Sequence, residues 1–186
     1  MLTAACRREA ARPNANVAAP TPAATTKGEE KVTLKVTSTA FDEGGMISAK
    51  YTCDGENVSP PLAWSGVPEA AKSLALVADD PDAPGGTWTH WVIYEIPATE
   101  KGLAENVPAR DTLDGGARQG KNDFKKTGYG GPCPPSGTHR YFFKLYALDA
   151  EPNLPPGVSK EQLLKAIDGH IVAEGQLMGR YQRGKS

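Results

Sequence analysis

The stretch ADDPDAPGGTWTHW, Ala78 to Trp91, concentrates the groups of this chain that could do chemistry. Asp79, Asp80 and Asp82 surround Pro81, a glycine pair follows, and His90 stands between Trp88 and Trp91. A second cluster, GYGGPCPPSG (Gly128–Gly137), leads directly into His139, Arg140 and Tyr141. Its glycines let a ligand approach the backbone closely. Three chemistries fit these residue types. Two histidines and an aspartate could form a facial triad for iron, although the spacing matches no metal motif. An aspartate that orients a histidine could serve acid–base or nucleophilic catalysis. No Ser sits in a G-x-S-x-G elbow, however, and neither loop cysteine lies in a nucleophile motif. Imidazole N–H groups, a Tyr hydroxyl and glycine amides are donors that suit a phosphate or another anion. A nearby carboxylate can orient a histidine or meet an ammonium group. The competing structural reading makes each histidine an ordinary strand residue of an aromatic core. Two histidines, each flanked by a Pro/Gly loop and one aligned with an acidic cluster, favour a site.

These residues need strands to hold them. KVTLKVTS (Lys31–Ser38) alternates with period two and reads as a strand. MISAKYT is a shorter candidate, and SPPLAWSGVP carries too many prolines for a central strand, so it reads as an edge or extended loop. KSLALVADD (Lys72–Asp80) predicts a short buried strand that delivers Asp80 and Asp82 at its C-terminal end. TWTHWVIYEIP (Thr87–Pro97) and THRYFFKLYALD (Thr138–Asp149) predict aromatic strands. Side chains alternate along the latter, so His139 and Tyr141 share one face and Arg140 takes the other. Residues 98–127 read as irregular, polar and Gly-rich. SKEQLLKAIDG is the helix: Ser159 is an N-cap, Gln162 completes a capping box and a glycine stops it. HIVAEGQLMGRY reads as a strand, because two glycines weaken a helix by ~1 kcal/mol each. His170 reads as a surface residue, and Asn57-Val-Ser as an unused glycosylation signal.

Length and composition bound the rest. The 186 residues suit one domain plus a tail, and 39% apolar residues support a packed core. Twenty Gly and sixteen Pro between short β-rich runs indicate a loop-rich β fold. The net charge of −1 lacks the basic excess of a nucleic-acid binder, and no apolar run is long enough to span a membrane. Residues 1–30 read as a disordered Ala/Pro/Thr-rich tether, separate from a domain over 31–186. LTAAC, ending at Cys6, has the form of a lipoprotein start that would be lipidated at that cysteine, given a signal segment upstream. On that reading the protein is lipid-anchored in the cell envelope or periplasm; without such a segment it is cytoplasmic. Cys53 and Cys133 lie in Gly/Pro-rich loops and are either a disulfide or two free thiols.

At DGENVSPPLAWSGVP, DDPDAPGGTWTHWVIYEIP, GYGGPCPPSGTHRYFFKLYALD and HIVAEGQLMGRYQR the chain resembles the phosphatidylethanolamine-binding protein family, or Raf kinase inhibitor-like proteins. The likeness is to its bacterial and archaeal branch and runs from about Lys31 to the C-terminus. D-P-D-x-P followed by a His on the next strand, then G-x-H-R-Y, carries it. The resemblance implies a mainly β fold in which a large antiparallel sheet packs on a smaller one in Greek-key order. It also implies a small pocket for phosphate-bearing head groups and other anions, with no cofactor and no metal. Asp80 matches the pocket acid, His90 and His139 its histidines, and Tyr141 its tyrosine. Ala83 and Pro84 match the pocket edge, the proline often following a cis bond. Gly131, Pro132, Cys133, Pro134 and Pro135 match the second rigid loop. Asp82 and Arg140 read as a supporting ion pair, and Trp88 as pocket wall. No helix is read after Arg180, where animal members close the pocket with one, so this site is expected to be more open or closed by another subunit of a homodimer.

The expected function is non-enzymatic binding of an anionic or phosphorylated group by His90, His139 and Tyr141, oriented by Asp80. Affinity should then fall as pH rises near ~6.5. A regulator or inhibitor that binds a protease or kinase partner through the same rim, and a hydrolase using Asp80 and His90, are the alternatives.

Overall fold

The computed structural model of the protein describes residues 1 and 32–184. Cys6 and, apart from Met1, the tether read over residues 1–30 lie outside the described residues. The chain forms β1 (Val32–Thr33), β2 (Lys35–Thr37), β3 (Leu62–Ser65), β4 (Ser73–Asp80) and β5 (Trp88–Pro97). It continues with β6 (Gly102–Leu103), β7 (Arg118–Gln119), β8 (Thr138–Leu148), α1 (Lys160–Ile167) and β9 (Ile171–Gln182). One sheet has six strands in the order β1-β9-β8-β4-β5-β7, the other three in the order β2-β3-β6. Among the described residues the fold is mainly β with two sheets and a single α-helix, as the sequence predicts. β8 follows β5 in the chain but crosses to the far side of β4, and only β1 runs parallel to its neighbour.

All eight residues of β4 are buried because both of its faces are covered. Leu74, Leu76 and Ala78 join Trp91, Ile93, Phe143 and Leu145 in the core between the sheets. Ala75 and Val77 join Val92, Tyr94, Leu163 and Ile167 under α1. The helix starts on the predicted capping box: Ser159 Oγ accepts the Gln162 amide at 3.3 Å and Gln162 Oε1 accepts the Ser159 amide at 2.9 Å. It is pinned to β4 by Lys160 Nζ, 3.0 Å from Asp79 Oδ1.

Several expectations are corrected. Lys31–Ser38 is not one strand. The chain leaves the large sheet after Thr33, passes Leu34 and enters the small sheet at Lys35. MISAKYT is not a strand either. Ala49–Tyr51 form a 3-10 turn capped by Ser48, and Met46 alone bridges to Arg180. SPPLAWSGVP is neither edge nor loop: β3 is the centre of the small sheet. Pro60 and Pro61 fall before Leu62 and Pro68 after Ser65, so Leu62–Ser65 keeps every amide needed for two partners. Residues 98–127 are irregular apart from the short pairings of β6 and β7.

Gly175 marks where the chain changes sheets. A Cβ there would collide with the Leu34 carbonyl oxygen, so the crossing segment rests on bare β9 backbone. Gly175→Val should therefore lower the unfolding free energy by about 2–3 kcal/mol, read by denaturant titration. A variant as stable as the wild type would show that Leu34 can move away.

Candidate functional site

The ends of β4, β5 and β8 meet beside the loop at 128–137. Asp80 closes β4 with both carboxylate oxygens engaged: His139 Nδ1 lies 2.7 Å from Oδ2, and Oδ1 accepts the Asp82 amide at 2.8 Å. Strand alternation sends His139 and Tyr141 inward and Arg140 outward, as the sequence predicts. Arg140 meets Asp82 with Nε at 2.9 Å and a terminal nitrogen at 2.7 Å, and its amide adds a third bond at 2.9 Å. These contacts hold the Asp82 carboxyl at about 2, below its ordinary 3.8, with the guanidinium bond the main cause.

His90 reaches the same pocket by a device that its sequence position conceals. Ala78 pairs with Trp91 and Asp79 with Thr89, so His90 is the extra residue of a β-bulge. Without the bulge it would share the parity of Val92 and Tyr94, which face α1. With it, the imidazole turns inward and meets Tyr141 edge-on at 5.2 Å. Its Nδ1 lies 2.6 Å from Gly130 O, and the Gly130 amide donates back to His90 O at 2.9 Å. Burial is the main cause that holds the His90 pKa below its ordinary 6.5, and the Gly130 bond and the charges of Asp80 and Asp79 oppose it only in part.

Tyr141 is 2% exposed, and its hydroxyl is a buried polar atom without a hydrogen-bond partner among the described residues. Burial first, then the charge of Asp80 and an approach to its carboxylate too loose to count as a hydrogen bond, raise this phenol far above its usual range, so it stays protonated and can donate. A buried donor left unpaired beside the His90 ring makes Tyr141 a candidate ligand contact.

Structure also reassigns the donors. A carbonyl only accepts, so His90 Nδ1 carries the proton it shares with Gly130 O, and the neutral ring presents Nε2 as an acceptor. His139 spends its Nδ1 proton on Asp80 in the same way. Two of the loop amides expected to face an anion are also engaged, Gly130 N by His90 O and Gly131 N by Asn57 Oδ1 at 2.7 Å. Asp80 bonds the His139 ring, whereas the His90 ring bonds Gly130 O.

The other expected residues, Trp88 apart, belong to the adjoining loops. Cys53 and Cys133 are disulfide-bonded with Cα atoms 5.4 Å apart, and the Cys53 amide donates to Pro132 O at 3.1 Å. Pro132 and Pro134 are buried, whereas Cys133 and Pro135 face solvent. Ala83 and Pro84 form the tip of the β4–β5 hairpin. The bond before Pro84 is trans, against the expected cis. Gly85 and Gly86, with φ of 88° and 126°, make the reversal instead. Trp88 lies at the mouth against Phe124, ring centroids 5.4 Å apart, and Phe124 also meets His90 at 5.5 Å.

Three contributors were missed. Phe124 is a pocket wall inside a segment read as irregular, and its only signal is an aromatic residue in a polar run. Asn57, with φ of 58°, fixes Gly131. Asn122 holds the loop by donating to Gly128 O at 2.9 Å and accepting the Lys126 amide at 3.1 Å.

Residues 37–182 match the family model described as phosphatidylethanolamine-binding protein. This chain belongs to the phosphatidylethanolamine-binding protein family. A UPF0098 protein of Methanothermobacter thermautotrophicus is 59% identical over 145 residues, covering 78% of this chain and 96% of the relative. A solved family homologue from Chlamydia trachomatis superposes with a TM-score of 0.76 at 43% identity, over 83% of this chain and all of that one. E. coli YbcL, described as a new member of the mammalian family, gives 0.76 at 37% identity, over 81% of this chain and 99% of that one. For this family member, the two sheets and the single helix are the shared frame.

The Asp82–Arg140 pair should act as a clamp on the β4–β5 hairpin. Arg140→Ala should lower the stability near neutral pH, modestly because the guanidinium is exposed. The folded-state value of Asp82 is depressed, so its contribution is present above 3.8 and is lost as pH falls toward about 2. The stability gap between wild type and variant, from denaturant titrations, should close over that window. A gap that persists to the acid end would assign the loss to packing of Arg140 over Phe142 rather than to the ion pair.

Proposed function

We propose that the protein binds, without turning over, a phosphate-type anionic group in the pocket formed by Asp80, His90, His139 and Tyr141. The observation that carries this reading is the buried Tyr141 hydroxyl, left without a partner between His90 and the Asp80–His139 pair. The name of the family model points to the same chemistry, a phosphate-bearing head group. Binding is favoured over hydrolysis because, among the described residues, no Ser, Thr or Cys is hydrogen-bonded to either imidazole to serve as nucleophile. A second reading, a Raf kinase inhibitor-like regulator of a protein partner, draws on the pocket mouth. Trp88 and Phe124 are large aromatics that remain 37% and 39% exposed there.

Calorimetric titration of phosphoethanolamine tests the first reading. The double variant His90→Ala/His139→Ala should bind at least about tenfold more weakly than the wild type while keeping a cooperative melt. Equal affinities would reject the site. A partner captured equally by both proteins would favour the second reading.

A further inference from the structure

The hydrogen-bond pattern around His90 says more than that an anion fits; this step rests on the reading just proposed. His90 Nδ1 is committed to the Gly130 carbonyl, and that carbonyl belongs to a loop held from behind by Asn57 and by the disulfide. The ring cannot rotate to offer Nδ1 to a ligand without leaving a buried carbonyl unpaired. What a ligand meets is therefore Nε2, a lone pair in the neutral ring. On the other side stand the Tyr141 hydroxyl, a donor, and His139, whose remaining nitrogen lies opposite its bond to Asp80. Among the described residues, the basic side chains of the adjoining strand and helix are committed elsewhere: Arg140 faces outward and is held by Asp82, and Lys144 and Lys160 are held by Asp79 on the helix side of β4.

We infer that His90 is a specificity-determining residue that selects oxyanions carrying a proton, so that phosphomonoesters are accepted and sulfate esters are refused. A phosphomonoester loses its second proton near pH ~6, so at neutral pH the dianion predominates and takes up one proton from water to enter as the monoanion. That monoanion places P–O–H against His90 Nε2 and turns an unprotonated oxygen toward Tyr141. A sulfate ester has no proton to give, and its oxygen would face the Nε2 lone pair. It can bind only after His90 is protonated, and burial opposes that protonation. The groups that face His90 set the window: Asp80, Asp79 and the Gly130 carbonyl favour the imidazolium, whereas burial disfavours it more strongly.

The matched probes are phosphoethanolamine and 2-aminoethyl sulfate, which differ only in the ester. Calorimetry at about pH 7 should show the phosphate bound about 10- to 100-fold more tightly. The gap should narrow as the pH is lowered and the His90 ring gains its own proton. Titrations in two buffers of different ionisation enthalpy should report net proton uptake with the phosphate. Equal affinities at neutral pH, or a preference unchanged at acid pH, would overturn the inference while leaving the anion pocket standing. Ethanolamine alone binding as tightly as phosphoethanolamine would overturn it too, by placing an ammonium group at Nε2. Nitrogen NMR of the free protein decides independently of any ligand. His90 should show a protonated Nδ1 and an unprotonated Nε2, and the opposite tautomer would end the inference. If neither ester binds, the binding reading itself falls, and selectivity with it.

Discussion

A carboxylate buried at the end of a fully buried strand constrains everything near the pocket. Asp80 is 3% exposed, and a carboxyl group there must have both oxygens satisfied or cost several kcal/mol. One oxygen takes the imidazole of His139 and the other takes the Asp82 amide. The first bond requires the start of β8 to lie against the end of β4, which is the pairing that the crossover of β8 past β5 achieves. The second bends the chain after Pro81 so that Asp82 faces Arg140. A single buried acid thus dictates strand order, hairpin geometry and the orientation of one pocket histidine.

The neighbouring residue repeats the device on the opposite face. Asp79 is also buried and is answered by Lys160 of α1 and Lys144 of β8. Two consecutive carboxylates, pointing to opposite sides of β4 because strand side chains alternate, fix the pocket on one side and the helix on the other. The apolar cores between them are ordinary aliphatic and aromatic packing. The polar pairs add register: a one-residue slip of β4 would swap Asp79 and Asp80 between faces and leave both without partners.

Periodicity and turn chemistry made the long elements legible. β4, β5, β8, β9 and α1 follow from apolar alternation, aromatic runs and the Ser159–Gln162 box, and the outward turn of Arg140 follows from parity alone. Parity fails at His90, because the bulge that turns it inward has no marker such as a glycine or proline; the residue sits amid Trp, Thr and Val that would suit any strand. The same blindness affects Lys31–Ser38, where an unbroken alternation hides a change of sheet at Leu34. The alternation is satisfied in both sheets, and the clue lies far away in the bare backbone of Gly175. Asn57 and Asn122 act by bonding loop backbone, and single-sequence reading cannot pair an amide side chain with a carbonyl or N–H far along the chain.

Loop glycines suggested amides facing an anion, yet Gly130 and Gly131 spend their N–H groups inside the protein. The glycines serve packing instead. A Cβ at Gly130 would strike the Phe124 ring, and one at Gly131 would strike the Asn57 side chain and the Tyr51 carbonyl. With those amides engaged, and with Arg140, Lys144 and Lys160 tied to Asp82 and Asp79, the described residues bring no guanidinium or ammonium into contact with either pocket imidazole. The pocket differs in this from a helix N-terminus or an arginine clamp, where attraction for an anion is permanent. On the binding proposed above, the attraction would depend on a proton shared between imidazole and ligand, and the proton could come from either. The bulge at His90 and the carbonyl of Gly130 decide which nitrogen waits for it, and the depressed pKa of His90 favours a ligand that brings the proton itself.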